Sequence, residues 1–284
     1  MLGTLRKMDR PVKRLMMAGG GKVGLRLARE MHDSYQIKII ETDRKRCEYL
    51  ATQLPSSVLV LHGDSTDEDL MADENVRDMD LFLAVTSDDE DNIMACLLAK
   101  RMGARRVFAL INRKARLLLS DGQTEEAIRA SGMEFTFLRD SFYLDFLPAL
   151  AGEDGVIRGP AGDGLVGAVA RSDIAAVAVS VLQDLDSHVG QTYNLTGREA
   201  LTLSEAASII TEVTGKRTTY VEETLEEAYE SRASYNAPAW ELDAWVSTYT
   251  AIAQGELALI TGTVEDLVGQ PALTLREFLT AETA

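Results

Sequence analysis

Between Leu15 and Glu41 the chain reads LMMAGGGKVGLRLAREMHDSYQIKIIE, and this stretch constrains the fold more than any other. A short apolar run, Leu15 to Ala18, leads into Gly19-Gly20-Gly21-Lys22-Val23-Gly24. A segment of helical spacing follows to Met31, then a second apolar run, Ile37 to Ile40, which ends on Glu41. Strand, glycine turn, helix, strand and acid, in that order, form the fingerprint of a dinucleotide-binding unit. Gly19 permits the tight turn, Gly21 lets a pyrophosphate approach the backbone, and Gly24 lets the helix pack closely on the strand. The helix start, at Lys22 and Val23, offers unpaired N–H groups and a positive dipole end to phosphate. Glu41, followed by Thr42, can accept from both ribose hydroxyls and repels a 2′-phosphate, which favours NAD(H) over NADP(H). Arg44, Lys45 and Arg46 come next; they either soften that preference or form the solvated start of a helix. A strand-to-helix turn without a ligand would use the same glycines, so the reading rests on all the pieces falling in register.

The same alternation continues along the chain. Short apolar runs predict strands at Arg14–Met17, Gln36–Ile40, Val58–His62, Leu81–Val85 and Val107–Ile111. Helices are expected at Val23–Met31, Arg44–Gln53, Asp67–Glu74 and Asp91–Met102, the last with Gly103 as its C-cap. Buried parallel strands read as continuous apolar runs, and this order places helices on both faces of one sheet. After Ser120-Asp121-Gly122, a helix at Gln123–Ala130 and a strand at Glu134–Leu138 predict a sixth strand of that sheet. Glycine-rich turns at Gly152–Gly167 then precede a helix at Asp173–Gln183 and a strand at Gln191–Leu195. A helix capped by Thr202 or Ser204 and an acidic helix at Thr224–Ser234 complete the pattern. The expected class is α/β: a doubly wound parallel sheet, the Rossmann fold, with a small C-terminal cap region. Its dinucleotide core would span residues 11–150, and residues 151–284 would hold the rest of the sheet and the cap.

Charge narrows the partners. A net charge of -16 argues against nucleic acid and against an anionic membrane surface, both of which need clustered Lys and Arg. The most apolar stretch, Leu165 to Leu182, is broken by Arg171 and Asp173, so no membrane insertion is expected. The N-terminal residues carry too short an apolar stretch for a signal peptide. The two cysteines, Cys47 and Cys96, have no zinc spacing and fit a reducing, cytoplasmic setting as buried filler.

Residues from about Pro11 to Arg113 closely resemble the regulator-of-potassium-conductance nucleotide domain, in particular the peripheral subunit of bacterial Trk potassium uptake. The stretches that carry this are AGGGKVGLRLARE, KIIETDRKRCEYLA, VLHGDSTDEDLMADENV and DLFLAVTSDDEDNIMACLLAKRMGARRVFALINR. The resemblance implies that Gly19, Gly20, Gly21, Lys22, Val23 and Gly24 hold phosphates. It implies that Glu41 and Thr42 hold the ribose, that Asp64 and Ser65 lie by the adenine, and that Thr86 and Ser87 face the distal half of the nucleotide. Such domains bind NAD(H) or ATP/ADP and perform no chemistry; they usually form dimers.

From about Gln123 to Leu279 the chain resembles a different family, the C-terminal part of NmrA-like atypical short-chain dehydrogenases and their quinone-reductase relatives. TEEAIRASGMEFTFLRDSFYLDFLP, GPAGDGLVGAVARSDIAAVAVSVL, GQTYNLTGREALTLSEAASIITEVTGK and LTLREFL carry it. It implies that Leu138 to Phe142 pass near the nicotinamide end, with Phe142, Tyr143 and the cap forming a substrate pocket. The two likenesses meet near Lys114–Asp121 and imply a chimera, engineered or recombined; the alternative is a natural fusion. Both parents share one sheet topology, so a crossover helix can join them.

Catalytic signals are sparse. Short-chain dehydrogenases usually carry Tyr with Lys four positions on, and each of the eight tyrosines here lacks that Lys. Lys114 reads as solvated rather than as its stand-in. His62 reads as a packing residue rather than a base. The acids at Asp64–Asp69 and Asp88–Asp91 read as loop and helix-start residues rather than metal ligands, and no metal is expected. Trp240 and Trp245, with Tyr235 and Tyr249, are expected to be buried against the sheet rim, with a substrate platform as the alternative. The functional expectation is a non-catalytic nucleotide binder. An NAD(P)H-dependent reductase of quinones or similar carbonyls, and a nucleotide sensor of potassium transport, are the alternatives.

Overall fold

The computed structural model describes residues 14–112, 125, 126, 128–130 and 134–283. Lys114, Ser120-Asp121-Gly122 and the expected junction at Lys114–Asp121 lie outside the described residues. The chain forms two compact units, one ending at Leu110 and the other beginning at Ile111.

The first unit is built on β1 (Arg14–Ala18), β2 (Gln36–Glu41), β3 (Leu59–His62), β4 (Leu81–Ala84) and β5 (Arg106–Ala109). They form one parallel sheet in the order β3-β2-β1-β4-β5, so the order reverses between β1 and β4. In β1, Leu15, Met16, Met17 and Ala18 are wholly buried, as a central strand covered on both faces requires. Each large side chain among them contributes roughly 1.5–3 kcal/mol of transfer free energy. Between the strands run α1 (Lys22–Met31), α2 (Arg44–Gln53), α3 (Glu68–Asp73) and α4 (Asp89–Arg101). Helix α1 buries Val23, Leu25, Leu27, Ala28 and Met31, the stripe its spacing predicts. Asp43, Asp67 and Asp88 cap α2, α3 and α4 by accepting first-turn N–H groups. Two of these caps, Asp67 and Asp88, come from the acidic runs at Asp64–Asp69 and Asp88–Asp91, and capping is the role those two carboxylates serve.

The second unit holds a parallel sheet of β6 (Ile111–Asn112), β7 (Phe137–Asp140) and β10 (Thr192–Leu195), in the order β10-β7-β6. The strand expected to be the sixth of one ladder is therefore β7, in a second ladder. Its start lies three residues later than Glu134, and it includes Leu138 to Asp140. β7 pairs with β6 and β10 rather than with β5, whose partner is β4. Around this sheet lie β8 (Val156–Gly159), β9 (Leu165–Val166) and α5 (Arg171–Gln183). Then follow β11 (Leu201–Thr202), α6 (Leu203–Thr214), β12 (Thr219–Glu222) and α7 (Leu225–Arg232). Helices α8 (Ala239–Ala253), α9 (Thr263–Val268) and α10 (Leu275–Thr283) end the unit. Strands β8 and β12 pair in parallel, β9 and β11 antiparallel. Thr202 and Thr224 each open a capping box, with Glu205 and Glu227 reaching back. A core of Leu144, Ile157, Val166, Leu203, Ile210, Ile252 and Leu275 fills this unit.

The aromatic cluster departs from expectation. Tyr249 is buried, but Trp240 is 70% and Tyr235 66% exposed, and Trp245 meets Tyr235 edge-on at 5.8 Å. Helical spacing places aromatics on a face without saying whether anything covers it. Among the described residues, no helix is long and apolar enough to cross a membrane.

Candidate nucleotide site

The carboxyl edge of the five-stranded sheet collects the residues singled out from the sequence in the first unit. Backbone bonds carry each ladder into its loop: Gly19 N–H to Ile40 O at 2.9 Å, Gly63 N–H to Glu41 O at 3.0 Å, and Val85 N–H to Ala18 O at 2.9 Å. Gly19-Gly20-Gly21 follow β1, Glu41 ends β2, Asp64 follows β3 and Thr86 follows β4. Because the order is β3-β2-β1-β4, these groups stand side by side along one edge, across the point where the strand order reverses. Ligands of open α/β sheets bind at such a point.

The glycines meet the geometric demands placed on them. Gly19 has φ +100°, and a Cβ there would lie 2.9 Å from Thr86 N. A Cβ on Gly24 would lie 2.1 Å from Gly19 O, so α1 sits as close to β1 as only glycine allows. A Cβ on Gly21 would meet nothing within 4 Å, so the chain has open space beside that residue. Gly21 is also the N-cap of α1, and it supplies no side-chain cap; the first turn holds no acid. A helix start whose cap residue brings no side-chain acceptor and whose first turn brings no acid suits an anion. Lys22 is exposed at the same turn, and Val23 is buried beneath it.

Glu41 is held at the turn. Its Oε2 accepts from Gly20 N–H at 2.8 Å, and Oε1 accepts from Asp43 N–H at 3.0 Å and from the Thr42 hydroxyl at 3.5 Å. Oε2 keeps a second lone pair for a further donor. Asp64 is exposed and turns Oδ1 to the Thr66 N–H and hydroxyl, both at 2.8 Å, leaving Oδ2 for a ligand. Ser65 is buried beside it. The Thr86 hydroxyl donates to Asn92 Oδ1 at 2.8 Å and accepts from Asp88 N–H at 3.1 Å, so it is turned inward, while Ser87 is exposed. His62 is exposed rather than packed.

Asn92 of this edge escaped the sequence reading, and Arg46 was read there without its contacts. Asn92 is wholly buried; its Oδ1 also accepts from Thr86 N–H at 2.8 Å, and its Nδ2 donates to Leu110 O at 2.8 Å. It ties the loop after β4 to the end of β5. Its signal was a lone amide at the head of an apolar run, Ile93-Met94-Ala95-Cys96. Arg46 donates from Nε to Gly20 O at 2.7 Å and lies over the Tyr49 ring at 4.8 Å. Cys47 is half-buried, its Sγ 3.4 Å from Glu41 O; burial first, then the Glu41 and Asp43 charges, push its thiol pKa up.

Residues 15–129 match the TrkA-N domain. The Trk system potassium uptake protein TrkA of Halomonas elongata is 44% identical over 128 residues, 45% of this chain and 28% of that protein. Its counterpart in Haemophilus influenzae is 42% identical over 123 residues, 43% of this chain and 27% of that protein. The chain thus spans about a quarter of the length of the curated relatives it matches. Solved structures give a different likeness. An NADPH-dependent quinone oxidoreductase from Escherichia coli, solved with NADPH, superposes with a TM-score of 0.79 at 25% identity, over 95% of this chain and all of that one. The Citrobacter triphenylmethane reductase complexed with NADP(H) gives 0.77 at 24% identity over 95% of this chain and 100% of that one, a likeness of fold. Both resemblances drawn from the sequence hold, and a chimera of the two is consistent with them. The fold is Rossmann-like.

In the second unit, Phe142 packs against the core of that unit and stands 6.2 Å from Phe146. The Tyr143 hydroxyl donates to Asp140 Oδ2 at 3.1 Å. At the carboxyl ends of β7 and β10 a small cleft is lined by Asp140, Ser141, Asn194, Thr196, Glu256 and Leu257. Phe142 and Tyr143 do not line this cleft.

Proposed function

We propose that this chain binds a dinucleotide along the carboxyl edge of its five-stranded sheet, prefers NAD(H), and acts through binding rather than turnover. The observation that carries the reading is the start of α1: a glycine N-cap, a first turn without an acid, and open space at Gly21. In this reading the pyrophosphate takes the N–H groups of Gly21, Lys22 and Val23, and Glu41 accepts from the ribose hydroxyls. Asp64 Oδ2 lies toward the adenine, and the Thr86-Ser87 loop meets the distal half through its backbone and the Ser87 hydroxyl. The TrkA-N match over residues 15–129 supports it. Calorimetric titration with NAD⁺, NADH, NADPH and ATP tests it. Micromolar binding of NAD(H) that Glu41→Ala weakens is the expected result; silence with all four nucleotides overturns it.

A second reading is an NAD(P)H-dependent reductase of quinones or similar carbonyls, with Phe142 and Tyr143 on the substrate side. Likeness over 95% of the chain to an NADPH-dependent quinone oxidoreductase favours it. Hydride transfer to a quinone needs little acid–base help, so the missing Tyr–Lys pair does not stand against it. Dinucleotide oxidation with a quinone panel separates the readings; turnover that survives both Glu41→Ala and Gly21→Asp would not come from this site. The third reading, a sensor of potassium transport, predicts a channel subunit in a pull-down from membranes. A homodimer would suit that reading, and sedimentation tests it.

A further inference from the structure

Helix α4 carries apolar side chains on two faces. Ala95, Cys96 and Ala99 face inward and pack with Phe82 and Ala84 of β4. Met94 and Leu97 lie on the other side and are 57% and 40% exposed. The outer face of a surface helix ordinarily carries polar residues. Asp91, Met94, Leu97 and Arg101 are all exposed and fall three or four residues apart, so they make one outward stripe. The stripe opens on acid, Asp91 with Asp88 before it, passes over the two apolar side chains and closes on base, Lys100 and Arg101. The helix dipole accounts for the charges at its two ends. It does not account for Met94 and Leu97 between them. Arg101 also pairs with Glu68 of α3, in an exposed ion pair of the kind that holds its partners weakly.

We infer that this stripe is a self-association surface, and that its occupant is α4 of a second copy, laid antiparallel across a two-fold axis. Acid, apolar, base is a pattern that becomes its own complement when reversed, which is what a two-fold contact demands of a surface. With the axis between Met94 and Leu97, each Met94 meets Leu97 of the second copy, and each Asp91 meets the Lys100–Arg101 end. The apolar pairs are covered and the charges are matched in one register. From Asp91 to Arg101 the stripe runs about 15 Å at 1.5 Å per residue. A single helix face of that length covers less than the roughly 800 Å² per partner of a stable complex, so the dimer is a reversible one that forms as concentration rises. The inference does not rest on the nucleotide readings above, and it fails or stands apart from them.

Sedimentation velocity of the full chain at rising concentration tests this, with circular dichroism to confirm that each variant is folded. Wild type is expected to pass reversibly from monomer to dimer. Met94→Glu with Leu97→Glu is expected to weaken the dimer by about a hundredfold or more without lowering the melting temperature, since both side chains are exposed. Asp91→Lys or Arg101→Glu alone should weaken it too, and the two together, which exchange the charged ends, should restore it. Disulfide trapping in a Cys47→Ser background reads the register. Across the axis, two copies of Met94→Cys or of Leu97→Cys stand about 4.5 Å apart along the helices and should link, whereas two copies of Asp91→Cys stand about 13.5 Å apart and should not. Wild type that stays monomeric at every concentration overturns the inference. So does a dimer that survives Met94→Glu with Leu97→Glu, which must use another face. Asp91→Cys linking as readily as Leu97→Cys overturns the antiparallel register.

Discussion

Gly21→Ala and Gly24→Ala lie three residues apart on one turn, yet the structure predicts different fates for them. A methyl on Gly21 meets nothing within 4 Å, and the backbone there, φ -61° and ψ -165°, suits any L residue. Removing a glycine also restricts the unfolded chain, which is worth about 0.4–1 kcal/mol. Gly21→Ala therefore unfolds at or slightly above the wild-type temperature. A methyl on Gly24 stands 2.1 Å from Gly19 O, 3.1 Å from Gly19 C and 3.2 Å from Met17 Sδ. The two nearest of these atoms are backbone, so no side-chain rotation relieves the clash. Helix α1 must move off β1 by roughly 1 Å to restore ordinary contact. Overpacking of this kind costs about 1–3 kcal/mol. The better helix propensity of Ala returns at most about 1 kcal/mol. The net loss is roughly 1–2 kcal/mol, a fall in Tm of several degrees.

Binding should fail in both variants, for separate reasons. In Gly21→Ala the added methyl occupies the space through which a pyrophosphate reaches the backbone. In Gly24→Ala the start of α1 is displaced along with its N–H groups. Thermal unfolding by circular dichroism and NADH titration on both variants give the test. Gly21→Ala binding NADH as wild type does would refute the placement of the pyrophosphate. Gly24→Ala melting at or above wild type would refute the packing argument.

Further expectations follow from single side chains. Asn92→Leu leaves Thr86 N–H and Leu110 C=O without their buried partner, so a loss of about 2–3 kcal/mol is expected in urea unfolding; an unchanged midpoint refutes it. Burial pushes the Cys96 thiol up to about 12, so in native protein at pH 8 it should resist a disulfide reagent that labels both cysteines after denaturation; two rapidly labelled native thiols contradict this. Burial also holds Asp173 above the ordinary carboxylate value of 3.8, although its Oδ2 accepts from Leu273 N–H. The folded state then keeps that proton more tightly than the unfolded chain, and the stability this gives is present below the ordinary value and lost as pH rises through the folded one. The Tm of Asp173→Asn relative to wild type should accordingly climb between pH 4 and pH 7; a flat difference overturns the argument.

Which parts of this fold were legible follows from which forces are local. Strands β1 to β5 appear within about two residues of their apolar runs, because a strand buried on both faces writes itself as a continuous run. The start of α6 was legible to within two residues, Thr202 or Ser204, and the return of Glu205 to Thr202 selects the first. Asn92 was not, nor was the contact that Arg46 makes, because these depend on partners far along the chain, Leu110 and Gly20. The side-chain direction of Thr86 was hidden for the same reason. Tyr235 and Trp240 look like core by type, and only the packing of α7 and α8 leaves them exposed. Strand β7 was found, but its ladder was not, since its partners β6 and β10 lie far from it along the chain.

The two likenesses of this chain do not compete, because they answer to different constraints. Sheet order and strand-to-helix packing are demanded of any doubly wound nucleotide fold, so a sequence matching TrkA-N can follow the outline of a quinone oxidoreductase. Choice of dinucleotide is a separate matter, decided by a few atoms after β2. In the proposed reading those atoms are at the Glu41 carboxylate, which is pinned to Gly20 N–H, with the Arg46 guanidinium on the carbonyl of the same residue. The neighbour solved with NADPH shares the outline, yet the end of β2 here belongs to the TrkA-N match. If the chain turns over quinones at all, it should therefore draw hydride from NADH. Faster turnover with NADPH by the unaltered protein would contradict the reading of Glu41 while leaving the fold untouched.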